Sequence, residues 1–285
     1  MKHAFLIIAH NLFDQLQILL NILDDERNDI YVHIDKKISK IPSLVTSKSN
    51  LFISQKIDVR WGSRSQIEVE LYLFEKAYLS NTNYSYYHLL SGVDLPIKNN
   101  DYIHSFFSQH MGYEFVGICH TNDDFFINRI NRYHLFTKYY RNNNPIIGFL
   151  RFISEKIINK IFKRPLENIK YKFGPNWCSI TDEFCGYLIK EKNNILKLYS
   201  YTTCADEIYK QTIIYNSPFV KKMFDMEDGY KGCMRLVDWE RGNPYIYGAE
   251  TSDFDVIINS SHLFARKFDI EKYPQIVYKI QEYIK

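Results

Sequence analysis

Four places in the sequence gather side chains that can hold or move charge. His10 and Asp35 stand 25 residues apart, each closing an apolar run: AFLIIA over Ala4–Ala9 and IYVHI over Ile30–Ile34. Ser91-Gly92-Val93-Asp94 closes another, YYHLL over Tyr86–Leu90. Asp206 and Glu207 follow Cys204-Ala205. Arg266-Lys267 lie in ARKFD, and Arg235 and Arg241 bracket Trp239 upstream. The acids can accept protons, and a group of unpaired cations can hold an oxyanion. Each residue also has a plainer use. His10 can be satisfied by backbone, and Asp35 can start the turn before Lys36-Lys37. Asp206 and Glu207 can favour the first turn of a helix, with Thr203 as its N-cap.

The runs themselves predict the elements that position these residues. Ala4–Ala9 and Ile30–Ile34 read as strands buried on both faces. Leu12, Leu16, Leu19, Leu20 and Leu23 recur at helical spacing between them. A further apolar stretch covers Leu51 to Val59, helical spacing returns between Ser65 and Leu79, and Tyr86–Leu90 reads as another strand. Strand and helix alternating in this order predict βαβ units and a mostly parallel sheet flanked by helices. Such sheets bind ligands beyond the carboxyl ends of their strands, which directs attention to His10, Asp35, Trp61 and the Ser91–Asp94 turn. The α/β pattern resumes from Phe173 to Ile189, a helix is expected after Cys204, and a last one covers about Ile270 to Ile284.

Composition narrows the class. The 285 residues are 46% hydrophobic and 24% charged, ordinary for a folded chain and exclusive of disorder or collagen-like repeats. No GxGxxG and no GxxxxGK[ST] occurs, so neither a dinucleotide fingerprint nor a P-loop is expected. A net charge of +3 does not suggest nucleic acid. The five cysteines, odd in number and without CxxC spacing, read as reduced thiols. No apolar run approaches the roughly 20 residues of a membrane span, and the start lacks a small-residue cleavage site, so a signal peptide is not expected.

Five blocks taken together resemble the core-2/I-branching β-1,6-N-acetylglucosaminyltransferase family, glycosyltransferase family 14, which includes the peptide O-xylosyltransferases. They are LIIAH (6–10), YVHIDKK (31–37), WGS…E (61–68), LLSGVDLPIK (89–98) and LFARKFD (263–269). FGPNWCSIT (173–181), ADE (205–207) and RLVDW (235–239) join them less closely, and residues 110–170 match poorly. The resemblance implies a GT-A-type, Rossmann-like α/β fold over residues 1–285, a UDP-sugar donor and inversion at the anomeric carbon. It implies Glu207 as catalytic base, and leaves Asp206 as an orienting or capping group. It assigns His10, Asp35, Asp94, Arg266 and Lys267 to the donor nucleotide, with Arg235 or Arg241 as the partner cation of Lys267. It gives Trp239 an acceptor-stacking role with Arg129, Arg132 and Tyr133 nearby, while Trp177 is expected to pack in the core.

No metal or other cofactor is expected. Asp94 stands alone where an Asp-x-Asp motif would lie, and the literal Asp253-Phe-Asp255 falls far downstream. The expected activity is transfer of GlcNAc or a related sugar to an oligosaccharide or lipid-linked glycan in surface polysaccharide synthesis. The alternatives are a UDP-xylose transferase of the same fold and a non-catalytic protein binding nucleotide sugars or glycans. Animal members are membrane-anchored and disulfide-rich; this chain shows neither signal, so a bacterial-type cytoplasmic enzyme is expected.

Residues 138–172 read as a basic segment inserted within the domain. Between Arg141 and Arg164 six Lys/Arg face one acid, Glu155, a net +5 that leaves −2 for the rest. Within 145–164 Ile146, Leu150, Ile153, Ile157 and Ile161 recur at helical spacing beside Lys156, Lys160, Lys163 and Arg164. Such a helix either packs its apolar stripe on the domain or lies on an anionic membrane at the inner face of the cell.

Overall fold

The structure is a computed structural model and describes residues 1–120, 123–142 and 144–285. The first βαβ unit is β1 (His3–Ala9), α1 (Phe13–Leu23) and β2 (Asn28–Ile34). There follow β3 (Asn50–Ser54), α2 (Ser65–Tyr78), β4 (Tyr86–Ser91), β5 (Leu95–Pro96) and α3 (Asn100–Gln109). The middle of the chain holds α4 (Asp123–Ile130) and α5 (Pro145–Ile161). Next come β6 (Ser179–Thr181), α6 (Asp182–Lys190), α7 (Lys192–Leu198), α8 (Tyr209–Tyr215) and α9 (Gly229–Cys233). The chain closes with β7 (Arg235–Val237), α10 (Asp253–Asn259), β8 (Phe264–Arg266) and α11 (Pro274–Tyr283).

Five strands form the main sheet in the order β3-β2-β1-β4-β6. The first four are parallel, and β6 pairs antiparallel to β4. This is the mixed, mostly parallel architecture of GT-A-like transferases. The continuous apolar runs are explained by burial on both faces. Phe5, Ile7 and Ala9 of β1 join a core with α1, α3, α10 and α11, whereas Ala4 and Leu6 join one with α2, α4, α6 and α8. The apolar stretch after Leu51 is strand only as far as Ser54.

Register decides which residues meet at the sheet's carboxyl edge. Ala9 pairs with Ile34 and Ile8 with Ser91, so His10, Asp35 and Gly92 emerge side by side. Gly92 is required there, because a Cβ would come within 2.9 Å of the Ala9 Cβ. A small second sheet, β5-β8-β7, sits beside this edge. Its β5–β8 pairing sets Leu95 against Ala265 and thereby brings Asp94 opposite Arg266.

Backbone also meets backbone behind the edge. A Cβ on Gly117 would lie 1.8 Å from the Gly229 carbonyl oxygen, and one on Gly174 would lie 2.1 Å from that of Gly117. No side chain can give way at such contacts. Gly117→Ala should therefore lower stability by about 3 kcal/mol, the upper range for overpacked interiors. Gly148→Ala, in α5 with no atom within 4 Å of a Cβ, should leave stability unchanged or raise it. Denaturant midpoints of the two variants give the comparison.

Candidate active site

The His10 edge collects positive charge. His10 is exposed by area, yet burial among its neighbours lowers its pKa; Asp35 opposes the shift, and Lys37, Arg141 and Arg266 add to it. Asp35 itself is buried and held by Lys37, whose N–H and Nζ each donate to one of its oxygens at 2.8 Å. The Lys37 ammonium also reaches Asp58 at 2.7 Å and the Val59 carbonyl at 2.6 Å. Burial pulls the Lys37 amine down, but its bonds to Asp35 and Asp58 outweigh this and raise its pKa. Arg141 lies over the exposed Trp61 ring at 4.9 Å.

Arg266 extends this cluster. Its Nη1 donates to Asp94 Oδ1 at 2.6 Å and to Ser91 Oγ at 2.5 Å. Asp94 takes a second bond from the Ser91 N–H at 2.7 Å, so both its oxygens are engaged. The guanidinium rests 4.9 Å from the Trp177 ring. Trp177 does pack against the core, as expected, but it also supports a cation at the site. Beside it, burial lowers the Lys267 ammonium, and Arg266, Lys272 and Arg141 add to the effect against Asp269. Among the described residues Lys267 Nζ has no hydrogen bond or ion pair. Such an ammonium among cations suits a polyanion that arrives from outside.

The acid turn is built differently from the expected helix start. Asp206 and Glu207 occupy a 3₁₀ turn, Ala205–Glu207, and the α-helix begins only at Tyr209 without a side-chain cap. Thr203 caps nothing: its hydroxyl donates to the Gly62 carbonyl at 3.1 Å, and the Cys204 N–H joins it at 3.2 Å. The Gly62 N–H in turn donates to Gln66, whose amide holds Asp206 Oδ2 at 2.7 Å. The Trp61-Gly62-Ser63 loop is thus latched to the acid turn. Glu207 is half-buried, its Oε2 bound by Arg129 at 2.6 Å and its carbonyl by the Gly174 N–H at 3.0 Å. The Arg129 guanidinium lies over Phe173 and Phe125, 5.3 and 5.6 Å from their rings.

A buried ion pair lies beneath the turn. Lys210 is 0% exposed and pairs with Glu70 at 2.5 Å. It also donates to Asn176 Oδ1 at 2.6 Å and to the Asp206 carbonyl at 3.3 Å, and the Tyr209 hydroxyl binds Glu70 at 2.7 Å. Residues 173–177 therefore link the acid turn to Arg266: Phe173 under Arg129, Gly174 on Glu207, Asn176 on Lys210 and Trp177 under Arg266. Trp239 is half exposed, and the Tyr230 phenol near it has Glu207 among its charged neighbours. An exposed flat ring can cover one face of a sugar.

The remaining expected residues are placed elsewhere. Arg235 is 2% exposed, with its guanidinium bonded to the Cys233 and Cys178 carbonyls and stacked 4.4 Å from Phe264. Arg241 is held by Asp238, Asp253 and Glu250 at 2.6, 2.9 and 3.0 Å. Neither presents free charge to the site: Arg235 is buried with its terminal nitrogens on carbonyls, and carboxylates hold Arg241. Asp253 is fully buried, one oxygen on Arg241 and the other on Tyr245, Gly248 and Glu250. Arg132 is exposed. Tyr133 is tied through its main chain to Asn159 of α5, with its ring 5.4 Å from Tyr201. Sequence reasoning missed Arg141, treated only as bulk charge, and Lys37, treated only as a turn follower. It also missed Glu70 and Lys210, whose helices show no polar stripe that would flag them.

Comparison with known proteins places the chain in a family. The family model described as "Core-2/I-Branching enzyme" matches residues 3–256. The N-acetyllactosaminide beta-1,6-N-acetylglucosaminyl-transferase of Mus musculus is 22% identical over 294 residues, 96% of this chain and 70% of that protein. The human beta-1,3-galactosyl-O-glycosyl-glycoprotein beta-1,6-N-acetylglucosaminyltransferase is 23% identical over 300 residues, 94% of this chain and 66% of that protein. Xylosyltransferase 1 of Rattus norvegicus is 21% identical over 316 residues, 99% of this chain but only 35% of its own length.

Asp206 gives the site a measurable titration. Burial, with Glu207 and Glu70 adding their negative charge, raises its pKa to about 8. The folded protein thus keeps this proton where the unfolded chain has lost it, and its contribution to stability falls as pH rises from about 4 to about 8. Asp206→Asn removes the titration and keeps an oxygen for Gln66. The stability of the variant relative to wild type should therefore grow across that window. Denaturant midpoints at several pH values test this; a difference that stays flat means Asp206 is ionised in the folded state.

Proposed function

This chain belongs to the core-2/I-branching enzyme family of glycosyltransferases, and from that premise we propose that it transfers a sugar from a UDP donor to a glycan hydroxyl with inversion. The observation that carries the reading is the cluster of Lys37, Arg141 and Arg266 around His10, with Lys267 beside Arg266, joined to the Glu207 turn through residues 173–177. In this reading the diphosphate sits against Arg266 and Lys267, with Arg141 as the further cation, and the nucleoside lies toward His10 and Asp35. The acceptor stacks on Trp239 and displaces Arg129 from Glu207. The acceptor oxygen attacks the anomeric carbon from the side opposite UDP while Glu207 takes its proton. The bond from that carbon to the β-phosphate oxygen breaks, and its electron pair leaves with UDP, stabilised by the cations. A neutral Asp206 leaves Glu207 without a second negative charge beside it.

We take the donor sugar to be GlcNAc, and the acceptor to be a surface polysaccharide precursor or lipid-linked oligosaccharide made in a bacterial cytoplasm. UDP-xylose is the second reading, favoured by a xylosyltransferase relative that matches 99% of this chain. The reaction is proposed to need no metal. Support comes from Asp94, whose oxygens are engaged by Ser91 and Arg266, so that a guanidinium stands beside the acid. UDP release measured across a panel of UDP-sugars, with and without an acceptor glycan, tests donor and reaction together.

Glu207→Gln should lower transfer by about 10²–10⁴-fold, the range for a lost general base, while UDP affinity by calorimetry stays within error. Near-wild-type transfer would remove Glu207 from the base role.

Activity should survive EDTA, and Lys267→Ala should lower kcat by about 10²–10³-fold and weaken UDP binding, since the ammonium meets charge that grows toward the transition state. Loss of activity in EDTA with recovery on adding Mn²⁺ would instead give the diphosphate to a metal.

A further inference from the structure

The helix α5 is turned inside out. An amphipathic helix on a globular surface normally buries its apolar stripe and leaves its polar stripe in water. No residue of α5 is buried, and Ile146, Phe149, Leu150, Ile157 and Ile161 are each more than half exposed. Its polar side faces the protein instead. The Arg151 guanidinium lies 4.5 Å from the Tyr140 ring, the Tyr140 hydroxyl reaches Glu155 at 3.4 Å, and Asn159 exchanges two bonds with the main chain of Tyr133. The bare stripe runs about 22 Å along the helix at 1.5 Å per residue. Among the described residues no helix is long and apolar enough to cross a membrane, so this face can lie on a bilayer but not span it.

Charge decides what covers it. Lys156, Lys160 and Lys163 are exposed; the first two, at i and i+4, follow one flank of the stripe, and Lys163 lies just past its end. Arg164 does not join them, being turned inward onto Thr202 and the Leu198 carbonyl. The only acid of the helix, Glu155, points at Tyr140 and Arg151. A second copy of the chain would thus meet the face with lysines and no acid, whereas an anionic lipid surface complements both the stripe and its flank.

We propose that α5 is a docking face for an anionic membrane, with its apolar stripe in the acyl boundary and Lys156, Lys160 and Lys163 among the headgroups. The face stands apart from the Glu207 and Lys267 clusters, and its docking does not depend on the transferase reading. The test is cosedimentation of the full chain with vesicles of equal parts phosphatidylglycerol and phosphatidylcholine, against phosphatidylcholine alone. Wild type should bind the anionic vesicles and lose binding as salt is raised. K156E/K160E/K163E should lower the partition coefficient by at least about a hundredfold, from roughly fivefold per basic residue. L150S/I157S should also release the protein, with circular dichroism and UDP release in solution checking that both variants fold. Failure of wild type to bind anionic vesicles, or binding that ignores both sets of changes, overturns the proposal. So does a dimer in sedimentation velocity that L150S/I157S abolishes while vesicles are ignored, which would assign the face to a second copy.

Discussion

The buried pair of Lys210 and Glu70 is the constraint on which the site depends. Both side chains are essentially without solvent, and a charge in that position is tolerated only with its partner and further hydrogen bonds in place. The partners come from separate segments: Glu70 from α2, Asn176 from the 173–177 strip, and the Asp206 carbonyl from the acid turn. Satisfying Lys210 therefore fixes the relative positions of all three. A well-packed apolar substitute can match its stability but does not specify where the turn must sit. The two members of the pair act oppositely on Asp206: the Glu70 charge adds to burial in raising that carboxyl, and Lys210 opposes it.

The opposite side of the site is set by the sheet rather than by a polar network. Parallel pairing in matched register ends β1, β2 and β4 at nearly one level, which delivers His10, Asp35 and the Ser91–Asp94 turn together. The short β5–β8 pairing then brings Arg266 across to Asp94 from the far end of the chain. Two independent devices thus converge, one holding an acid turn and one holding cations, with residues 173–177 spanning both. Chemistry that needs a carboxylate and an oxyanion hole in fixed relation is served by such a division, since neither device has to deform for the other.

Much of this was legible because burial on both faces writes a strand as a continuous apolar run. Ala4–Ala9, Ile30–Ile34 and Tyr86–Leu90 all fall within observed strands, and their closing polar residues do mark the sheet edge. The rest depended on long-range contacts that spacing does not encode. Thr203 had the right type and place for an N-cap, but Gly62, some 140 positions away, claims its hydroxyl. Arg235 and Arg241 flank Trp239 as expected, yet carbonyls from one side and Asp253 from the other absorb their charge. Lys37 and Arg141 look like ordinary surface cations until the fold sets them around His10.

The same limit explains α5. Periodicity finds its stripe but cannot say which way the stripe points, because an inward and an outward orientation have the same sequence. Polar satisfaction breaks the tie. Arg151, Glu155 and Asn159 have partners on the protein in Tyr140 and Tyr133, and rotating the helix to bury its isoleucines would strip those bonds away. The anchor is also connected to the site: the Tyr140 ring lies against Gly62, 3.2 Å from where a Cβ would stand, in the loop that holds Thr203 and Gln66. One side of Tyr140 thus supports the helix and the other the acid turn, so a surface that engages α5 meets a site held in fixed relation to it.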